Sequence, residues 1–71
     1  MTYPTLELVE KAGLYDLARW QIHLDSPGMS AIGKPDAEDV RIREHEVLLR
    51  IMARVEELGG ITPTISKSLT R

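Results

Sequence analysis

Apolar residues recur every three or four positions along two stretches, residues 5–24 and 36–58, and lose that rhythm between and beyond them. A 3.6-residue period predicts a helix over each. At 1.5 Å per residue both helices are about 30–35 Å long. The connection, 25–35, carries Pro27, Gly28, Gly33 and Pro35, and the segment 59–71 opens on Gly59-Gly60 with Pro63 close behind. Proline fixes φ and lacks an N–H while glycine frees the backbone, so both segments end helices. Two helices of similar length with a short connection predict an antiparallel helical hairpin in an all-α fold. The whole chain, 1–71, reads as one domain with an irregular loop and an extended tail.

End chemistry agrees with this division. Asp36 is placed to cap the second helix, and Glu38 and Asp39 put negative charge at its positive end. Gly59 suits the left-handed position that closes a helix, with Arg54 in the last turn. Thr5, or Tyr3 ahead of Pro4, opens the first helix. Gly13 costs about 1 kcal/mol against alanine in a helix interior. It therefore marks either a kink or a close approach of two backbones.

At 100° per residue, Leu6, Val9, Gly13, Leu17, Trp20 and Leu24 form one stripe on the first helix. Val40, Val47, Leu48, Ile51, Val55 and Leu58, led by Ala37, form the matching stripe on the second. Apart from Gly13 and Ala37, these are the expected core. A second apolar line, Leu8–Tyr15–Ile22, runs on the far side of the first helix, and Ile42, Leu49 and Met52 make one on the second. A hairpin hides only its facing stripes. The outer lines, with Arg19 and His45 beside them, therefore predict a dimer or partner interface. A twofold pairing into a four-helix bundle covers the same patch on both chains at once. A monomer with a folded-back tail and a hetero-complex are the alternatives. Glu44 interrupts the inner stripe. It either reaches the bundle edge, pairing with Arg19 or Arg41, or forms an interface ion pair that fixes register.

Composition narrows the picture. A chain of 71 residues buries only about 60% of its unfolded surface, so a solitary core is marginal. There is no cysteine, hence no disulfide framework and no thiolate metal site. No apolar run of about 18 residues is present to span a membrane. The first residues lack the basic and apolar regions of a secretory signal. A cytoplasmic location is the expectation.

Candidate chemistry is sparse. A metal site would draw on His23, His45, Asp25, Glu44 and Glu46, but Glu44-His45-Glu46 has one histidine where a zincin helix needs two at i and i+4. In a hairpin His23 and His45 stand roughly 10 Å apart along the axis, so no tetrahedral set forms within one chain. Serines and threonines lie in the loop and tail, away from both histidines, which argues against nucleophilic catalysis. No phosphate loop is present, and two helices offer little concavity to shield a reaction. Neither an enzyme nor a cofactor is expected.

Arg43, Arg50 and Arg54 share one face of the second helix and raise the possibility of nucleic-acid binding. Asp39, Glu46 and Glu57 share that face, and Glu46–Arg50 has the favourable i,i+4 order. Of the 9 basic residues, Lys67 and Arg71 belong to the tail, leaving seven against 11 acidic ones, about −4 for the helical body. That balance opposes a duplex-binding surface. In the tail, Thr62, Thr64, Ser66, Ser68 and Thr70 alternate with Ile61, Pro63, Ile65, Lys67 and Leu69. Period-two alternation predicts an extended segment, either a disordered end or a strand that docks on a neighbour. Met29 and Ile32 of the loop either cover the bundle end or join a contact surface.

With Leu17-Ala18-Arg19-Trp20, Ser26-Pro27-Gly28 and Ala31-Ile32-Gly33, this cysteine-free acidic chain resembles the small helical proteins of bacteriophage genomes. Some of these block host factors, including transcriptional activators and motor ATPases. The resemblance is one of style and helix layout and carries over no functional residue. It implies an inhibitor or anti-activator of a bacterial regulatory protein that works by occlusion. The expected function is thus a non-enzymatic protein-binding module. A small DNA-associated transcriptional regulator and a structural or assembly subunit are the alternatives. Contact candidates are Leu8, Tyr15, Arg19, Ile22, Ile42, His45, Leu49 and Met52, then Met29, Ile32, Arg43, Arg50 and Arg54.

Overall fold

Thr5 opens the first element, its Oγ1 accepting the Leu8 N–H at 3.2 Å, which satisfies one of the free donors of a helix start. The computed structural model describes residues 2–69. Met1, Thr70 and Arg71 lie outside them, and with them the end of the expected tail. Among the described residues four α-helices follow one another: α1 Leu6–Lys11, α2 Leu14–His23, α3 Ala37–Glu57 and α4 Pro63–Leu69, with a 3₁₀ turn at Met29–Ala31. No strand occurs among the described residues. The chain is all-α.

The segment 5–24 is two helices rather than the single one expected. Ala12 and Gly13 are extended, with ψ of 149° and 173°, and the chain reverses across them. The Tyr3 hydroxyl donates to the Asp25 carbonyl oxygen, 22 positions on. A continuous helix would hold those residues about 33 Å apart. Gly13 marks the break. It caps α2 with φ −84°, and a Cβ there would meet nothing within 4 Å, so the close-approach reading does not apply.

Helices α1 and α2 both pack on α3, and α4 packs on α2. Val9, Leu17, Val47, Ile51 and Val55 form the buried centre, flanked by half-buried Tyr3, Ala12, Leu14, Trp20, Leu24 and Ile61. Val40 and Leu48 are half-buried as well. Two expected core residues are exposed: Leu6 at 46% and Leu58 at 42%. The stripe containing Leu6 assumed one helix axis through residue 24, and α1 has its own axis, with Val9 inward. Leu58 occupies the C-cap, where the chain leaves the helix. Ala18, Ala31 and Leu69 are buried without having been expected in the core.

Helix α3 closes as its sequence predicts. Gly59 takes φ 101° and Gly60 φ 83°, with Gly60 N–H on the Val55 carbonyl at 2.8 Å and Gly59 N–H on that of Glu56 at 3.1 Å. This is a Schellman ending. Asp36 does stand at the N-cap of α3, but its side chain makes no capping bond.

The expected extended tail is helical over Pro63–Leu69. Thr62 Oγ1 accepts the Ile65 N–H at 3.2 Å, and Pro63 takes the first helical position, where a missing N–H costs nothing. His23 Nε2 lies 2.9 Å from the Leu69 carbonyl, fastening the end of α4 to α2.

Candidate contact surface

Each arginine of the expected α3 face has a different environment. Arg50 pairs with Glu10 through two hydrogen bonds, Nε to Oε1 and Nη2 to Oε2, the second at 3.0 Å. Its Nη1 also lies 3.5 Å from Glu57. Arg54 donates to Glu57 at 3.2 Å and reaches the Glu10 and Ala12 carbonyls at 3.4 and 3.5 Å. Its side chain is only 19% exposed. The two cations thus fasten the α1–α2 reversal to α3, collecting carbonyls that the end of α1 leaves unpaired. Arg43 alone of the three is exposed. The expected Arg43–Arg50–Arg54 contact face is therefore not a free basic surface. The Glu10–Arg50 hydrogen bond holds the Glu10 carboxyl below the usual carboxylate range.

Glu44 pairs with neither Arg19 nor Arg41. Its Oε1 accepts the Gly28 N–H at 2.9 Å, tying the connection to the middle of α3. Arg19 stands 3.9 Å from Asp16 on its own helix. Above Glu44, burial and the nearby carboxylates of Glu44 and Asp25 raise the Tyr3 hydroxyl above its ordinary pKa.

The expected line Leu8–Tyr15–Ile22 is divided by the α1–α2 break. Leu8 and Tyr15 are exposed on different helices, while Ile22 is half-buried on α2, the helix that α4 packs against. Ile42, Leu49 and Met52 are exposed together on the outer side of α3, with exposed His45 among them. Met29 and Ile32 stand out from the connection, Ile32 at 72%. A shallow groove of about 710 Å³ lies between α2 and the end of α3, lined by Gln21, Leu49, Met52, Val55, Glu56 and Ile61.

The particle is flat, 40 × 25 × 14 Å, with a Cα radius of gyration of 12.8 Å. A compact domain of this length has about 11 Å. Flatness is why so many large apolar side chains remain outside. Among the described residues no three His, Asp or Glu side chains gather as metal ligands, and no helix is long and apolar enough to cross a membrane. The candidate site is a surface of apolar side chains on a rigid helix.

No protein-family model, curated protein or solved structure matches the chain.

Proposed function

We propose that this chain is a non-enzymatic protein-binding module that pairs with itself and occludes a regulatory protein of a bacterial host. The observation that carries the reading is the outer side of α3, where Ile42, Leu49 and Met52 lie exposed on the longest helix while Val47, Ile51 and Val55 fill the core beneath. Contiguous apolar side chains on a small particle mark contact sites, and a helix fixed by its own core loses little freedom on binding. Pairing through this side completes a bundle in which each copy contributes α3 and the two short helices beneath it. The body's acidic excess suits a basic target surface and speeds encounter with it. A nucleic-acid role is disfavoured because Arg50 and Arg54 are already spent on Glu10 and Glu57.

The test is affinity capture from host lysate with the wild-type chain and with Leu49→Glu, followed by reconstitution. The proposal expects one protein held by the wild type, lost with the variant, and inhibited by purified wild-type chain at stoichiometric amounts. Identical captures by two equally helical proteins would overturn it.

A further inference from the structure

Ala18 of α2 and Leu69 of α4 are buried, at 0% and 8% exposed, while the centre of the fold is built of Val9, Leu17, Val47, Ile51 and Val55. At 100° per residue, Tyr15, Ala18 and Ile22 stand about 160°, 100° and 140° round α2 from Leu17, which faces that centre. Helix α2 packs closely against α3 on one side and against α4. The burial of Ala18 and the half-burial of Ile22, on the side away from Leu17, therefore come from α4. This is a second, smaller joint beside the main core.

Few groups hold it. Ile65 and Leu69, four apart on one face of α4, supply its apolar grip, and His23 Nε2 lies 2.9 Å from the Leu69 carbonyl. Ile61, just before α4, packs against the central cluster. The chain thus stays anchored there when α4 leaves α2. A seven-residue helix is unfavourable on its own, so docking must also offset the entropy lost in forming it. Elements of this kind open at a lower free energy than the whole fold.

We propose that α4 is a placeholder on α2: it covers a site that takes an amphipathic helix of the partner protein, and its departure opens that site. The proposal rests on the binding reading above and adds a second face and a means of regulating it. The ligand's chemistry is read from α4 itself, a helix with branched apolar residues four apart whose last carbonyl meets His23. A partner helix that is already folded loses less chain entropy on docking than α4 does, and so displaces it. Uncovering Ile22 joins it to Tyr15, already 50% exposed, which adds an aromatic anchor of the type that dominates contact energies. While α4 is seated, the apparent affinity falls in proportion to the small open fraction.

The probe is a peptide of residues 61–69, stapled into a helix between exposed positions 64 and 68 and titrated into full-length chains. Leu69→Asp weakens the seat of α4 and leaves α2 unaltered. That chain should bind the peptide at least about tenfold tighter than the wild type, and adding Ile22→Glu should abolish the gain. Equal binding to both chains, or to neither, overturns the placeholder. Hydrogen exchange of the wild type tests the opening without any substitution. Amides of α4 should exchange well before those of α2 and α3, and exchange in step with global unfolding overturns the proposal. In the lysate capture, Leu69→Asp should hold several-fold more of the same protein than the wild type, and an equal yield overturns the partner's use of α2. A wild type that captures nothing overturns the binding reading alone, and the peptide and exchange results still decide whether α4 covers a helix site.

Discussion

Gly28 presents its N–H to the carboxylate of Glu44 at 2.9 Å and lies so close to Arg41 that a Cβ on it would stand 2.8 Å from the arginine's own. Its φ of +84° is in the left-handed region. Two demands, space and conformation, thus fall on one residue. Gly28→Ala is expected to destabilise the fold by about 2–3 kcal/mol. Gly33→Ala, at φ 82° with nothing within 4 Å, should cost only about 1 kcal/mol. Chemical denaturation of both variants measures the difference, and equal losses would refute the close approach.

Glu10 and Arg50 make stability depend on pH. Arg50 keeps the Glu10 carboxyl below its ordinary value, so the folded state binds this proton less readily than the unfolded chain. The contribution is fully present above the ordinary carboxylate range and fades as pH falls through the lowered value. Glu10→Gln should flatten that part of the curve. Both groups are solvent-accessible, so added salt should weaken the effect. Thermal unfolding between pH 6 and 2 in low and high salt checks the sign.

Leu69 separates a folded tail from a loose one. It is 8% exposed at the end of α4, and replacement by Asp would place an unpaired charge where α4 meets α2. A loss of about 2–3 kcal/mol is expected, with faster amide exchange throughout α4. An unchanged melting curve would mean that α4 adds nothing to the fold.

Ile51 is fully buried in the cluster that joins Val9 of α1, Leu17 of α2 and α3 itself. Ile51→Ala should cost about 2–5 kcal/mol. In a domain whose whole stability is of the order of 5 kcal/mol, that is enough to populate the unfolded chain at 37 °C. Circular dichroism at that temperature reads it directly.

The helical class, the extent of α3 and most of the core were legible because a 21-residue helix repeats its pattern often enough to override single exceptions. The break at Ala12-Gly13 was legible only as a kink or close approach at Gly13, not as a division into two helices. Leu6, Val9 and Leu17 keep one period across it, and only contacts distant in sequence, such as Tyr3 with Asp25, distinguish two short helices from one long one. The tail shows a different conflict. Its alternation pointed to an extended segment, either a disordered end or a docking strand, yet Thr62-Pro63 is also a cap followed by a favoured first helical residue, a local signal that fitted the structure better. On the surface, exposed Ile42, Leu49, Met52 and Ile32 were visible as a pattern. The roles of Arg50 and Arg54 were not, because their partners Glu10 and Ala12 lie some 40 positions away.

Helices of six and seven residues, such as α1 and α4, do not persist alone in water. Each exists here because it rests on a neighbour: α1 on α3, α4 on α2. In α1 and α4, helical structure is thus a consequence of docking rather than its precursor. An agent that prised α4 away would liberate a disordered strand of polypeptide, and the event would register as vanished circular-dichroism signal, with no rigid arm left to swing.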